Sequence, residues 1–455
     1  MTDKLIKQYR EKALSLDFKK IKLAQLGDGK NQTFEGPGYI EQNRDGALTY
    51  KLFHNSGISL KEDVGRYIRI KRGELIPEDY YFSFEGTDIY DRKWISERID
   101  IDYHTSEGFT VVHEKLRKIK TTTTLPSIEG KERSGEFHEV LIPKKIKLPS
   151  NLSTSIQHFV GEDEMKSSIS HSAAKYDNPF LKLLLFHDDD WLVIQIKVVE
   201  DNFHPYLFQR VLGALQYILA EPLNWVIYKK RIKDEFTLTF RPFKEEYKKY
   251  RFYESFLLGD GNESKIWKIF DYYLNHILLN TDDFNDPITN IVSKCLFASQ
   301  GSFDAFSLTL SLAVEEILNT SYKKLKVQKS INEKDITLLK EAIKEIEKGF
   351  RDRICGFIGH AQQISASDRL RYLINKTPIT ITDYDNWKAI RNHFAHPDDS
   401  KLNTQDKADK TYSVLTLLHK LIFLKIGYQG PYNDFGERNW PQKEWKPNNA
   451  NQADG

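Results

Sequence analysis

Cysteine and methionine are scarce in this chain of 455 residues, which contains two of each. Two thiols cannot form a framework of several disulfides or, by themselves, a structural zinc site, so disulfide-rich secreted scaffolds and zinc modules built on cysteine are excluded. Both Cys295 and Cys355 lie in stretches of apolar patterning. We therefore expect both thiols to be buried in hydrophobic cores.

Long hydrophobic runs are also missing. The longest candidate for a membrane span, residues 211–228, is interrupted by Glu221 and Pro222, whereas a span needs about 20 mostly apolar residues. The first residues show no apolar run followed by a small-residue cleavage site, so we expect no secretory signal. The expected location is cytoplasmic, without a membrane partner.

The chain has almost no excess of one charge, since 67 Lys and Arg stand against 65 Asp and Glu, a formal charge of +2. No whole-chain field attracts nucleic acid or membrane, and any polyanion site has to be local. The most basic stretch, residues 226–251, carries nine cations against four carboxylates. It fits either a solvated strand edge with a connecting helix or a phosphate-facing surface.

The length and the 40% hydrophobic content predict several globular domains of α+β class. Residues 1–150 show short β-branched and aromatic strands with turn signals, including a hairpin of 33–41 and 47–54 and a strand at 66–71. Residues 151–255 are mixed α/β, with a hairpin around Asp188-Asp189-Asp190 and a helix over 205–220. We expect this region to continue the β-rich N-terminal half.

From about residue 262 the hydrophobic period changes to that of helices, and it continues to 430. This predicts an all-α domain over 262–430, with late helices at 382–396 and 403–426. Residues 431–455 are rich in Asn, Pro and Gly and contain Trp440 and Trp445. We expect a C-terminal tail that is either flexible or docked through these two tryptophans.

The most informative residues are Arg391, Asn392 and His396, near the end of the helix predicted at 382–396. At about 100° per residue, Asn392 and His396 share one side of the helix, roughly opposite the apolar residues Trp387, Ile390 and Phe394. Arg391 lies between the two sides. An amide, an imidazole and a guanidinium can therefore face a polar cleft while the apolar side packs into the bundle.

This trio is chemically suited to cleaving RNA without a metal. A histidine near neutrality can take the proton of a ribose 2′-hydroxyl or protonate the departing 5′-oxygen. An arginine fork matches a phosphate and stabilises negative charge that builds up on its oxygens. The asparagine amide can hold the backbone or orient its neighbours.

The spacing of Arg391 and His396 alone is weak evidence for a site, because an Arg followed five residues later by a His is expected about 0.5 times by chance in this chain. An Asn directly after the Arg lowers the number expected by chance to roughly 0.03. Ordinary structural interpretations also exist. His396 can interact with the helix dipole just before Pro397. Arg391 can be a surface cation near Asp383 or Asp385.

The motif Arg391-Asn392-x-x-x-His396, on a late helix of an all-α domain, resembles the RNxxxH signature of the HEPN superfamily (higher eukaryote and prokaryote nucleotide-binding). The layout, with a β-rich half before the helical domain, is most similar to ApeA-like HEPN proteins of bacterial phage defence. The segment 312–318 also resembles the Ala-x-Glu helix of those proteins. This likeness makes Glu315 a supporting polar residue, although a helix-surface carboxylate is the ordinary interpretation.

The resemblance implies a metal-independent endoribonuclease that needs no cofactor and acts in abortive infection by cleaving host RNA, with tRNA as a candidate. It implies that two HEPN domains bring two copies of the trio across one cleft, so this chain would form a homodimer or a larger homo-oligomer. It further implies that the N-terminal half senses a phage-derived trigger or restrains the nuclease.

Two other functions remain open. The helical domain can be a non-catalytic scaffold that dimerises and binds nucleotide or RNA through the same Asn and His. Alternatively, Asp188-Asp189-Asp190 with Gln195 and Lys197 has the carboxylate and lysine spacing of metal-dependent restriction nucleases, although a solvated hairpin turn explains it equally well. Scattered histidines lack short ligand spacing, so we expect no zinc site. These are His54, His104, His138, His187 and His204.

Overall fold

The structure is a computed structural model of the whole chain. It describes residues 2–27, 32–55, 75–106, 108–125, 135–160, 163–170, 173–199, 204–243, 252–257, 262–279, 286–325, 327, 333–361, 363–395 and 402–447. The strand expected at 66–71 and the residue His396 lie outside this set. Among the described helices, none is long and apolar enough to cross a membrane.

The chain divides into two compact units that do not follow the expected boundaries. One unit contains residues 1–203 and 223–248, and the other contains 204–222 and 249–455. The region expected as one mixed piece, 151–255, is therefore shared, because its strands belong to the first unit and its helix to the second. The N-terminal half is β-rich and the C-terminal half is helical, so the α+β expectation is confirmed at this coarse level.

The first unit is built on an antiparallel sheet of fourteen strands. Their order across the sheet is β12-β13-β14-β9-β15-β16-β8-β5-β4-β1-β2-β3-β7-β6. The bounds are β1 Ser15–Gln25, β2 Thr33–Gln42, β3 Leu48–His54, β4 Phe82–Asp88, β5 Lys93–Ile99, β6 Asp102–Ser106, β7 Phe109–Leu116, β8 Ile119–Thr124, β9 Glu136–Ile142, β12 Ala173–Asp177, β13 Leu181–Asp188, β14 Trp191–Val198, β15 Ile227–Ile232 and β16 Glu235–Phe240. Strands β10 Ser153–Val160 and β11 Asp163–Ser170 form a separate hairpin.

One core cluster contains residues from both ends of this long sheet, from Leu48 and Leu52 to Trp191 and Val193. A twisted sheet of more than about ten strands usually curls, which brings distant strands around a shared core. Helix α1 (Thr2–Arg10) packs there through Tyr9, whose ring stacks on Phe240 at 4.9 Å. The expected hairpins β2–β3 and β13–β14 are confirmed.

The second unit is mainly helical. Its helices are α2 Leu207–Leu219, α3 Glu263–Leu278, α4 Pro287–Ser299, α5 Phe303–Thr320, α6 Glu333–Ala342, α7 Lys348–Ala361, α8 Ala366–Ile374, α9 Ile381–Ala395 and α10 Thr404–Ile426. Helix α10 is central, since its residues from Val414 to Phe423 are buried without a break. The expectation for the cysteines is half right, because Cys295 on α4 is buried and Cys355 on α7 is exposed.

The described part of the expected C-terminal tail is docked. Strands β17 (Gly430–Asn433) and β18 (Gln442–Trp445) pair into a short hairpin. Trp445 is buried, and the Phe435 backbone N–H donates to Thr416 Oγ1 on α10 at 2.9 Å. The hairpin therefore covers part of α10.

Candidate functional site

Helix α9, which carries Arg391 and Asn392, has a firmly fixed beginning. Asp383 accepts hydrogen bonds from the backbone N–H (2.8 Å) and the hydroxyl (2.9 Å) of Thr380, and Thr380 Oγ1 accepts from the Asp383 backbone N–H at 3.2 Å. This reciprocal arrangement is a capping box, which satisfies donors that the first turn of a helix leaves open. Lys420 on α10 donates to both oxygens of Asp383, at 3.1 and 3.0 Å.

The middle of α9 is fixed to α5. Trp387 and Ile390 are buried, as the helical spacing predicts, and Trp387 Nε1 donates to the Ser311 carbonyl at 3.0 Å. Phe394, expected on the same apolar side, is only partly buried, and its ring lies edge-on to that of His393 at 5.0 Å. The helix is thus anchored up to Ile390 and becomes exposed in its last turn.

The exposed last turn places Arg391 against Glu315 of α5. Arg391 Nε donates to Glu315 Oε2 at 2.9 Å, and its Nη2 donates to Oε1 at 3.3 Å. The side chains of Arg391 and Glu315 are 46% and 30% exposed, so the ion pair lies at the surface. It nevertheless has the two-hydrogen-bond geometry of a guanidinium on a carboxylate. The structure therefore brings together two residues that are 76 positions apart in the chain.

This contact gives the guanidinium a defined orientation. Glu315 engages the edge formed by Nε and Nη2, so Nη1 lies on the side directed away from the carboxylate. A phosphate can use that second edge while Glu315 holds the first. The neighbouring carboxylate, Glu316, is turned to a different partner, since both of its oxygens accept from Lys294 Nζ at 2.9 Å.

The remaining candidates are placed less completely. Asn392 is exposed next to Arg391, in agreement with a side chain directed away from the bundle. The structure says nothing of His396, which is outside the described residues. The alternative interpretation of Arg391 as a cation near Asp383 or Asp385 is not what the structure has, because Asp383 is buried with Lys420 and the ion pair of Arg391 is with Glu315.

The acidic hairpin turn of the first unit, 188–190, is occupied by cations of the chain itself. Arg10 forms ion pairs with Asp188 and Asp189, and Lys145 lies 3.7 Å from Asp190. Gln195 Nε2 donates to Glu139 at 2.6 Å. The turn borders a cleft of about 630 Å³. Among the described residues, no group of three or more His, Cys, Asp or Glu is arranged to hold a metal ion.

In the described part of the basic stretch, residues 226–243, two lysines are paired with carboxylates of the sheet. Lys229 pairs with Glu139, and Lys230 lies 3.0 Å from Glu136. The Arg241 guanidinium lies 3.5 Å from the centre of the Trp225 ring. These contacts favour the interpretation of a structural sheet surface over a phosphate-facing one for the described part of the stretch.

The contacts of two polar residues on α10 could not be derived from the sequence. Lys420 is a cation in the buried part of α10 and has no acidic residue near it in the sequence; only the fold brings Asp383 to it. His419, next to it, is enclosed by aromatic rings, and burial lowers its pKa to about 3. Their signal is a polar residue inside an apolar run, which predicts burial with a partner but does not identify the partner.

Comparison with known proteins identifies no relative. No family model matches the chain, and neither a curated protein nor a solved structure matches it.

Proposed function

We propose that this chain is a metal-independent endoribonuclease of the HEPN type, with Arg391, Asn392 and His396 as its catalytic residues. In this proposal it acts as an abortive-infection effector that cleaves RNA of a phage-infected bacterium, with tRNA as a candidate substrate. The N-terminal unit would sense the infection or restrain the nuclease.

The observation that carries the proposal is the fixed, half-exposed guanidinium of Arg391. Glu315 holds it through two hydrogen bonds, and α9 is locked at Asp383 and Trp387. An ordinary surface arginine loses side-chain entropy when it binds a phosphate, whereas a guanidinium held in place has lost part of it already. Arg391 is therefore already oriented to bind an anion, and the exposed amide of Asn392 lies beside it.

The reaction that these groups support is transfer of the phosphoryl group within the RNA. A general base takes the proton of the 2′-hydroxyl, the 2′-oxygen attacks the phosphorus, and the bond to the 5′-oxygen breaks. A general acid protonates that leaving oxygen, so the products are a 2′,3′-cyclic phosphate and a 5′-hydroxyl. The histidine supplies base or acid, and Arg391 stabilises the charge on the phosphate oxygens in the transition state.

One protomer contributes one histidine at residue 396, whereas base and acid are two tasks. Two copies of the chain across one cleft would supply both, which is why the proposal includes a homodimer. The competing proposal is a scaffold that binds RNA or nucleotide through the same Asn392 and His396 without cleaving it.

The deciding experiment incubates the purified full-length protein with total RNA in excess chelator. We expect cleavage by the wild type and a loss of about a hundredfold or more in H396A, the usual contribution of a general acid or base. His393→Ala is the matched control, because it removes a histidine three residues away on the same helix end, and it should retain activity within about twofold. Binding of RNA without any cleavage would support the scaffold, and cleavage abolished by the chelator would contradict the proposal.

A further inference from the structure

Four neighbouring strands of the first unit, β2, β3, β7 and β6, carry aromatic side chains on one face. The register pairs Tyr39 with Lys51, and Lys51 with His113. Since side chains alternate along a strand, Phe53 shares the face of Lys51, and Phe109 and Val111 share that of His113. His104 on β6 is paired with Val111. We call Tyr39, Phe53, Phe109, His104 and His113 the aromatic face.

The aromatic face is the solvent side of an amphipathic sheet. On the opposite side, Ile40, Leu52 and Val112 are completely buried in the core. The three rings of Tyr39, Phe53 and Phe109 are partly exposed, as is His113, and His104 is exposed. The solvent side of an antiparallel sheet usually carries polar residues, so this concentration of rings is unusual for that side.

The rings lie at intervals that a strand of nucleotides can follow. Ring centres are 6.2 Å apart for Tyr39 and Phe53, and 6.1 Å apart for Phe53 and Phe109, the latter pair inclined by only 18°. His104 and His113 form a second pair of rings on this face, with centres 5.3 Å apart. Each of the four strands therefore adds a flat side chain to one surface.

A cation lies within the same face. Lys51 is exposed, and its Nζ is 5.7 Å from the centre of the Tyr39 ring. The contact with Tyr39 raises the pKa of Lys51. Carboxylates border the face. Asp102 lies opposite His113 at the outer edge, Asp17 of β1 lies opposite Tyr39, and Glu41 follows Tyr39 by two residues on β2.

We propose that the aromatic face binds single-stranded RNA, with bases stacked on the rings of Phe53, Phe109 and Tyr39 and a phosphate on Lys51. Stacking on aromatic side chains across an antiparallel sheet is a general way of holding unpaired bases, because every base presents a flat π surface. Duplex RNA hides those surfaces within its own stack. A protein partner would favour a continuous apolar patch, whereas here lysine and imidazole groups interrupt the rings.

The proposed RNA binding depends only on residues of this sheet and does not require the chain to be a nuclease. If the chain cleaves RNA, the face would capture unpaired segments of the substrate; if it does not, the face would still bind them. Binding and cleavage can therefore be tested separately.

The test measures fluorescence anisotropy of a labelled 2′-O-methyl oligouridylate of about 12 nucleotides, a length within the range bound by single-strand surfaces. Because its 2′-oxygens are methylated, the oligonucleotide cannot be cleaved by 2′-hydroxyl attack. We expect F53L and F109L each to weaken binding by the full-length protein about tenfold, since each removes one stacking surface. Leucine keeps the apolar volume, so folding is retained. K51Q should reduce the salt dependence of binding.

Tyr90→Leu is the matched control, because Tyr90 belongs to the same unit, is 59% exposed and lies outside the aromatic face. It should bind like the wild type, and a hairpin duplex of equal length should bind at least about tenfold more weakly than the single strand. The inference is overturned if the wild type does not bind the single strand, if it binds the duplex equally well, or if F53L and F109L bind as tightly as the wild type.

Discussion

At the scale of one residue, the proposed site depends on Glu315. This acidic side chain lies beside the cation that is proposed to hold a phosphate, so it would repel the substrate and at the same time orient Arg391. The geometry favours orientation as the larger effect, because Glu315 occupies only the Nε and Nη2 edge of Arg391. A phosphate approaching the other edge keeps the guanidinium between the two anions.

Glu315→Gln separates these effects. The amide keeps the size of the side chain but can no longer accept two charge-assisted hydrogen bonds, so Arg391 becomes mobile. We expect the turnover number for RNA cleavage to fall about tenfold with little change in KM, and the free energy of unfolding to change by about 1 kcal/mol or less, as for most surface pairs. Activity that rises in E315Q would show that Glu315 restrains the site instead.

The sequence predicts the residues of the site better than their contacts. The helical period places Trp387 and Ile390 in the core and Asn392 outside it, and the structure agrees. The partner of Arg391 could not be derived from spacing, because Glu315 and Glu316 are adjacent and the rotation of α5 about its own axis decides which of them faces Arg391. The roles of Arg391, Asn392, His396 and Glu315 stay predictions.

At the scale of the element, the position of the first turn of α9 depends on the buried ion pair of Asp383 and Lys420. Their side chains are 8% and 5% exposed. Asp383 keeps two hydrogen bonds to Thr380 if Lys420 is removed, whereas Asp383 provides the only hydrogen bonds that the structure shows for the Lys420 ammonium within the described residues. The two halves of the pair are therefore not equivalent.

Urea unfolding of D383N should show a loss of about 3 to 5 kcal/mol, because a buried charge is left without its partner. Lys420→Met should cost less, and the double variant D383N/K420M should be more stable than D383N alone. Equal losses in both single variants would contradict the argument that the capping box protects Asp383.

We expect His419 to make the helical unit sensitive to acid. Its Nδ1 lies 3.2 Å from the Tyr217 hydroxyl, and its ring stacks on that of Phe423 at 6.1 Å. Burial lowers its pKa to about 3, from about 6.5 when unfolded. Between these values the unfolded chain binds one proton more than the folded chain, so stability is complete above about pH 6.5 and falls as the pH falls toward 3.

Chemical denaturation between pH 7 and pH 5 should therefore show a loss of up to about 1.4 kcal/mol per pH unit from this group. His419→Asn, which keeps an acceptor for Tyr217, should lower stability at pH 7 but flatten the dependence on pH. Burial also lowers the pKa of His276 in the same unit, so a smaller slope of the same sign should remain. An unchanged slope in H419N would exclude His419 as its source.

At the scale of elements, the sequence predicts those with a strong period and a clear turn. The β2–β3 and β13–β14 hairpins and helix α2 lie where alternation, turn residues and helical spacing place them. The division into units is different, because α2 belongs to the helical unit although strands of the other unit precede and follow it. A local pattern carries no information on which distant surface an element covers. For the same reason Cys355, in a helix of apolar spacing, is exposed.

At the scale of the whole molecule, the proposal requires that two copies of the chain share one site. Light scattering should report a mass of at least twice 53.2 kDa. Mixed dimers of the wild type and H396A, formed by co-expression, keep only one of the two histidines that the proposed shared cleft needs. They should cleave RNA nearly as slowly as the H396A homodimer, and a mixed dimer with about half of the wild-type activity would argue against a composite site.

The central claim is that the ribose 2′-oxygen is the nucleophile and that no metal ion activates water. The most direct measurement is the chemistry of the RNA ends produced by full-length protein in excess chelator, with a matched substrate carrying one 2′-deoxynucleotide at the cleaved position. The account predicts 2′,3′-cyclic phosphate and 5′-hydroxyl ends, and no cleavage at the deoxy position. Products with 5′-phosphate ends, or cleavage at the deoxy position, would contradict it.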